Sequence, residues 1–111
     1  MPEQLRVAAE LLERRWLLSI IFAALSGAIR FNEFASAVEG ISARMLAERL
    51  RDLERAGLLE RRVLPSSPPT VEYRLTRRGR SLRPLIEALQ TYAEASIAAP
   101  SAPPRSPRAL T

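Results

Sequence analysis

The chain has 111 residues and a formal net charge of +5, with 17 basic and 12 acidic side chains, and its length fits one domain. Every basic residue is arginine, and histidine and cysteine are absent. These absences exclude disulfides, thiolate chemistry, Schiff-base chemistry on lysine, and His or Cys as metal ligands. We therefore expect no metal, no cofactor and no enzymatic activity. The positive charge indicates a polyanionic partner, although an arginine-only composition is equally compatible with genomic base composition.

Apolar residues at helical spacing predict three helices in the first part of the chain. The first covers residues 4–13 and has an apolar stripe. The second, over residues 16–26, is apolar on nearly every side, which is typical of a buried central helix. The third is short, from about residue 31 to residue 38, and Gly40 follows it as a turn residue.

A fourth helix is predicted over residues 42–56. Ser42 is a favourable N-cap, because its hydroxyl can accept a hydrogen bond from a backbone N–H of the first turn. Its buried stripe consists of Leu46, Leu50 and Leu53. Gly57 then provides the residue for a left-handed C-cap.

The apolar spacing changes after this helix. Residues 58–64 and 71–76 are predicted strands, and the second alternates apolar and charged side chains. A proline-rich loop over residues 65–70 joins them. The fold class is therefore mainly α with a small β-hairpin, and a hairpin directly after a helix-turn-helix is the arrangement of a winged helix-turn-helix.

The chain is predicted to end in one long helix and a tail. The helix extends to about residue 97, and Pro84 should bend or restart it near Ser81. Residues 99–111 hold four of the nine prolines and are predicted to be a disordered proline-rich tail. The winged helix-turn-helix domain then covers residues 1–98.

The excess positive charge lies in residues 42–83, which carry a net charge of +6. Arginines on the exposed face of the fourth helix suit insertion into a DNA major groove, whereas a solvated amphipathic face is the alternative. On that helix the pairs Glu48–Asp52 and Arg51–Arg55 are like-charged at i,i+4 spacing, an arrangement that a polyanion would relieve. Hairpin arginines should meet phosphates. The predicted DNA contacts are Arg30, Asn32, Ser42, Ala43, Arg44, Ala47, Glu48, Arg51, Arg55, Arg61, Arg62, Thr70 and Arg74.

Four blocks of sequence resemble the HxlR-type winged helix-turn-helix regulators of bacteria, which are relatives of the MarR regulators. The blocks are Arg15-Trp16 before an apolar helix, residues 30–34, residues 41–58 and residues 68–79. The resemblance covers about residues 5–95. It implies a homodimer built from the first and last helices, bound to a pseudo-palindromic promoter site. It also implies that the fourth helix enters the major groove and that the hairpin forms a wing near the minor groove.

Three features depart from that family. Many members carry an N-terminal cysteine that senses oxidants or electrophiles, and this chain has no cysteine. Two glycines often precede the basic residue and tryptophan, where this chain has Glu13 and Arg14. The wing commonly has a basic residue where this chain has Thr70, which weakens the expectation of minor-groove insertion.

Two further sets of residues are candidates for interfaces. Apolar residues of the first and last helices exceed what a core of this size covers, and they form the predicted dimer seam: Leu5, Ala8, Leu12, Leu85, Leu89 and Tyr92. Trp16, Phe22 and Tyr92 could line a pocket for an unidentified small-molecule effector, although plain core packing is the favoured interpretation.

The leading hypothesis is a cytoplasmic, sequence-specific DNA-binding regulator, and more specifically a repressor, with double-stranded DNA and a second copy of the chain as partners. No signal peptide or membrane-spanning run is evident in the sequence. The alternative is a winged-helix adaptor that binds protein without sequence-specific DNA binding. Such an adaptor would not need eleven arginines in residues 42–83.

Overall fold

The computed structural model describes residues 1–97, and the predicted tail over residues 99–111 lies outside them. The predicted order of elements is confirmed, and the bounds of the first four helices and of both strands agree to within one residue. The boundary between the domain over residues 1–98 and the tail stays a prediction. The elements are α1 (Glu3–Leu12), α2 (Leu17–Leu25), α3 (Phe31–Ala37), α4 (Ala43–Arg55), β1 (Leu59–Leu64), β2 (Thr70–Leu75), α5 (Arg77–Arg80) and α6 (Arg83–Tyr92).

Helix α2 forms the centre of the core, as its all-round apolar sequence predicts. Its buried residues pack with Phe34 of α3, with the leucine stripe of α4 and with the start of the hairpin. The ring of Phe34 meets Tyr73 of β2 edge-on, with the centroids 6.4 Å apart, and this contact ties α3 to the hairpin. The buried core consists of Leu17, Ile20, Ile21, Ala23, Phe34, Val38, Leu46, Leu50, Leu53, Leu58, Leu59 and Ile86.

The start of α3 is anchored to the hairpin through main-chain bonds. The backbone N–H of Tyr73 donates to the carbonyl oxygen of Ile29 at 2.7 Å. The N–H groups of Ile29 and Arg30 donate to Oε1 of Glu33 at 2.8 and 3.0 Å, and these bonds hold the pKa of Glu33 below its ordinary value. Glu33 therefore supports the native state above its unfolded pKa, and this support is lost as the pH falls through its folded pKa.

Helix α4 begins and ends as the sequence predicts. The Ser42 hydroxyl accepts from the backbone N–H of Met45 at 3.0 Å, and Gly57 has a φ of +77°, the left-handed conformation that ends the helix. Position 79 also requires glycine, because a Cβ there would overlap the carbonyl oxygen of Leu58. Gly79 thereby lets α5 pack directly on the turn between α4 and β1.

The hairpin is a two-stranded antiparallel sheet whose register pairs Leu59 with Leu75 and Leu64 with Thr70. The expected break in the last helix is confirmed, since α5 ends at Arg80 and α6 starts afresh with Pro84 in its first turn, where no N–H is needed. A π-helical turn, Ala93–Ile97, follows α6. The sequence did not predict this turn, because one turn of apolar spacing does not distinguish α from π geometry.

Candidate nucleic-acid interface

The exposed face of α4 carries three arginines. Arg44, in the first turn, has a side chain that is 91% exposed, and its Nε lies 3.6 Å from a carboxylate oxygen of Glu48. Arg51 is exposed and forms no ion pair within residues 1–97. Arg55, at the end of the helix, has a side chain that is 70% exposed and pairs with Asp52. A loose exposed pair such as Arg44–Glu48 contributes little to stability, so the Arg44 guanidinium can exchange it for another partner.

Small side chains surround the start of this face. Ser42 and Ala43 are exposed and Ala47 is half-buried, so the small side chains at these three positions leave room for another surface to approach the first two turns of α4. The hydroxyl of Ser42 is engaged in capping the helix through Met45. Because Ser42 is used as the cap, Arg44 is the first long side chain that this face of α4 presents to solvent.

The structure assigns Asp52 a role that sequence reasoning missed. Asp52 is only 9% exposed and lies on the flank of α4, between the exposed arginines and the leucine stripe. Its Oδ1 accepts a hydrogen bond from Arg55 at 3.0 Å and forms an ion pair with Arg14 at 3.1 Å, and its Oδ2 accepts from Arg49 at 2.8 Å. Three guanidinium groups surround the Asp52 carboxylate and offset the repulsion that its spacing from Glu48 predicts. Arg49 and Arg55 lie at i−3 and i+3 from Asp52, so the sequence spacing alone indicates that they can pair with it.

Two predicted contacts lie at the start of α3. Arg30 is exposed immediately before the helix, and its backbone N–H is already used by Glu33. Asn32 is exposed in the first turn. Both side chains are accessible to a ligand, and their contact with DNA stays a prediction.

The two faces of the hairpin differ in charge. On one face Arg62 donates to Glu60 at 3.1 Å and Arg74 donates to Glu72 at 3.0 Å, so these arginines are largely neutralised. Arg61 projects from the opposite face, is exposed and forms no ion pair in the described part of the chain. The predicted grouping of Arg61 with Arg62 is thus divided between two faces, because successive residues of a strand point to opposite sides.

The tip of the hairpin is built by the proline-rich loop. Thr70 is half-buried, and its hydroxyl lies 3.0 Å from that of Ser66 across the loop. Val63 and Leu64, just before the loop, are 54% and 37% exposed. The wing tip therefore presents apolar and hydroxyl groups rather than charge.

The predicted dimer seam is largely uncovered in the single chain. Helix α1 has no fully buried residue, and its Leu5 is 55% exposed. On α6, Leu85, Leu89 and Tyr92 are 37%, 44% and 61% exposed. Leu12 differs from these residues, because it is half-buried and packs against the chain's own core.

The three candidate effector residues lie in different surroundings. Trp16 is half-buried beside Gly40, Phe22 is 49% exposed on α2, and Tyr92 is exposed at the end of α6. A groove of about 1040 Å³ runs beside α1, and none of the three lines it. Its apolar walls are instead formed mainly by Val7, Ala8, Leu11, Leu12, Ala56, Leu58 and Leu82. An effector pocket stays a prediction.

The described residues 1–97 contain neither a cluster of metal-ligating side chains nor a membrane-spanning helix. Within this part of the chain, no three acidic side chains come together as metal ligands would. None of its helices has the length and apolar character needed to cross a membrane.

Comparison with known proteins links this geometry to one class of protein. A family model described as HxlR-like helix-turn-helix matches residues 11–101. YvaP, an uncharacterized HTH-type transcriptional regulator of Bacillus subtilis, is 38% identical over 86 residues, which are 78% of this chain and 80% of YvaP. YodB, an HTH-type transcriptional regulator of the same organism, is 38% identical over 94 residues, 85% of this chain and 84% of YodB.

Solved structures agree with the sequence comparison. The reduced form of YodB superposes with a TM-score of 0.76 over 86% of this chain and 94% of that one. Diamide-treated YodB superposes with a TM-score of 0.72 over 86% of this chain and 95% of that one, again at 38% identity. The redox regulator HypR in its reduced form is 32% identical and superposes with a TM-score of 0.77, over 84% of this chain and 92% of HypR. The winged helix-turn-helix fold predicted from the sequence is thereby confirmed.

Proposed function

This chain belongs to the HxlR-like helix-turn-helix family of transcriptional regulators, and on that premise we propose that it is a repressor that binds a pseudo-palindromic promoter site as a homodimer. The observation that carries the proposal is the exposed face of α4. It combines a capped N-terminus, small residues and an arginine in the first turn that is almost fully exposed. These features suit a helix whose N-terminal turns approach base edges in a major groove.

Different arginines of this surface have different roles in the proposal. Arg44 contacts a base edge, and Arg55, three turns later on the same face, contacts phosphate. Arg51 lies between them, and we assign it to a base or near-base contact. In the wing, Arg61 can contact phosphate without giving up an ion pair within residues 1–97, whereas Arg62 and Arg74, like Arg55 on α4, would exchange or share a carboxylate partner.

The remaining predicted contacts complete this surface. Arg30 and Asn32 flank the groove from the start of α3, and the small residues at the start of α4 permit close approach. Glu48 is placed to hold Arg44 in position or to accept from a cytosine amino group. The Thr70 hydroxyl shares a hydrogen bond with the Ser66 hydroxyl. Thr70 therefore makes a weaker contact with DNA than a basic residue would make at this position of the wing.

Homodimer formation follows from the uncovered apolar residues of α1 and α6. Burying a large apolar side chain contributes about 1.5–3 kcal/mol, and several of them lie on these two helices. We expect light scattering at micromolar concentration to give about twice the chain mass of 12.4 kDa. A stable mass of one chain under those conditions would contradict the dimer.

Repression is the simplest mode of action for a protein of this size. A dimer of two such domains can occlude a promoter by occupying it.

Selection of DNA from a random-sequence duplex pool tests the proposal. We expect the full chain to enrich an inverted repeat and to bind it with an affinity that falls steeply with salt, because arginine–phosphate contacts release counterions. The adaptor alternative predicts no enriched sequence. A salt-dependent gel shift with the enriched duplex and its scrambled version separates the two possibilities, and absence of enrichment would reject the proposal.

The absence of cysteine predicts indifference to thiol oxidants. YodB has been solved after diamide treatment, and HypR is described as a redox regulator, but this chain has no thiol for such chemistry. We expect diamide to leave its affinity for the enriched duplex unchanged, as measured by gel shift at several diamide concentrations. Release of DNA on diamide treatment would contradict this prediction.

A further inference from the structure

The corner between α1 and α2, residues 13–16, is attached to the recognition helix α4 at several points. The side chain of Arg14 pairs with Asp52, and the carbonyl oxygen of Arg15 accepts from Nε of Arg49 at 2.9 Å. The Trp16 ring reaches Gly40, so that a Cβ placed there would lie 3.6 Å from it. The corner therefore contacts one turn in the second half of α4, at Arg49 and Asp52, and also the turn that precedes α4.

The backbone of the corner is held in an unusual conformation. Trp16 has a φ of +79°, the left-handed region that residues other than glycine rarely adopt. Such a conformation persists where the surrounding structure holds it. Around Trp16 that structure includes the Arg15 guanidinium, 4.6 Å from the ring centroid, and the hydrogen bond from Arg49. Arg49 of α4 therefore helps to hold this corner, together with Leu11 and Leu12 of α1, which pack against the core.

Asp52 organises these contacts. It is 9% exposed, the side chain of Arg49 is 17% exposed, and both carboxylate oxygens of Asp52 are occupied. Burying charged groups costs desolvation energy, so a buried pair of this kind is weak evidence for a contribution to stability and stronger evidence for a defined geometry. The pair Arg6–Glu10 on α1 has a similar distance, 3.0 Å, but both of its side chains are exposed.

We propose that Asp52 is a positioning residue for DNA recognition, which fixes the angle between α1 and α4 through Arg14 and Arg49. This inference rests on the proposed function, because it assumes that α1 contributes to the dimer seam and that α4 reads DNA. If α1 is held by the partner copy, its angle to α4 determines the distance between the two recognition helices. Asp52 then sets the half-site spacing that the dimer accepts.

Arg14 provides the cleanest test, because its removal changes no side chain of α4. Its side chain is 53% exposed, so Arg14→Ala should fold normally. On the duplex enriched by the wild type, we expect Arg14→Ala to lower the affinity about five- to tenfold. On duplexes whose half-sites are moved apart or together by one or two base pairs, the loss should be smaller, so that the dependence on spacing becomes flatter. Binding to scrambled duplex should not change.

Two further variants test whether Arg14 acts on DNA binding through Asp52. Arg6→Ala is the control, because it removes an exposed, ion-paired arginine of α1, and it should bind every duplex of the series as the wild type does. If Arg14 acts through Asp52, the double variant Arg14→Ala/Asp52→Asn should bind no more weakly than Asp52→Asn alone, because the partner of Arg14 is already neutral. Circular dichroism and light scattering establish that each variant is folded and dimeric at the assay temperature.

The outcomes separate this inference from the proposed function. If the wild type enriches a sequence but Arg14→Ala keeps the wild-type spacing profile, the inference is wrong and the proposed function stands. A loss by the same factor at every spacing, or additive effects in the double variant, would also overturn it and indicate a structural role. If the wild type enriches no sequence, both proposals fail.

Discussion

Replacing Leu50 by alanine is expected to lower the free energy of unfolding by about 2–5 kcal/mol. Leu50 is 1% exposed and lies in the middle of the stripe by which α4 packs on the core. Truncation removes buried apolar surface and leaves a cavity that neighbouring side chains fill only in part. Urea denaturation followed by circular dichroism measures the change, with both proteins at the same concentration, because association of the chain would contribute to the apparent stability.

Leu64→Ala is the matched control for this substitution. Leu64 is 37% exposed at the end of β1, so the same chemical change should cost much less than at Leu50. If Leu64→Ala lowered the free energy of unfolding as much as Leu50→Ala does, the wing tip would have to be buried against another surface in solution. At temperatures where Leu50→Ala remains folded, its preference for the enriched duplex over the scrambled one should equal that of the wild type.

The fold was predictable because its signals are local. The all-round apolar sequence of α2, the leucine stripe of α4 and the alternation in β2 each identify an element from a window shorter than 15 residues. The cap at Ser42 and the left-handed glycine at residue 57 mark the ends of α4 in the same way. These signals agree with one another, which is why the predicted boundaries match the structure closely.

The charge pairing of the candidate interface was only partly predictable. Arg49 and Arg55 are within one helical turn of Asp52, so their pairing with it was available from i,i+3 spacing. Arg14, by contrast, is distant in sequence and reaches Asp52 only because the corner after α1 folds back onto α4. No local pattern indicates such a contact, which depends on the tertiary arrangement of three helices.

The wing illustrates the same limit. The number of hairpin arginines does not distinguish Arg61, Arg62 and Arg74 from one another. Strand alternation nevertheless places Arg61 and Arg62 on opposite faces of the hairpin. The pairing of Arg62 with Glu60 and of Arg74 with Glu72 follows from i,i+2 neighbours on one face of the hairpin. Net charge over a segment therefore overestimates the number of arginines that are available to a ligand.

Arg44→Ala is expected to weaken binding to the enriched duplex by roughly 1–3 kcal/mol and to leave binding to a scrambled duplex almost unchanged. Arg44 stands in the first turn of α4, where its side chain is 91% exposed and its nearest carboxylate, that of Glu48, is 3.6 Å away. From that position a guanidinium can donate to O6 and N7 of a guanine, so its removal costs specificity. Titration of both duplexes at several salt concentrations measures the two affinities and the salt slope.

Arg55→Ala is the matched arginine on the same face and should behave differently. Its loss should weaken both duplexes about equally and lower the salt slope by roughly one unit, because one phosphate contact disappears. Asp52 would still be paired with Arg14 and Arg49, so the corner after α1 should keep its geometry. The contrast between the two variants distinguishes a base contact from a phosphate contact on one helix. If Arg44→Ala bound both duplexes as tightly as the wild type does, α4 would not be the element that reads the sequence, and the adaptor hypothesis would gain support.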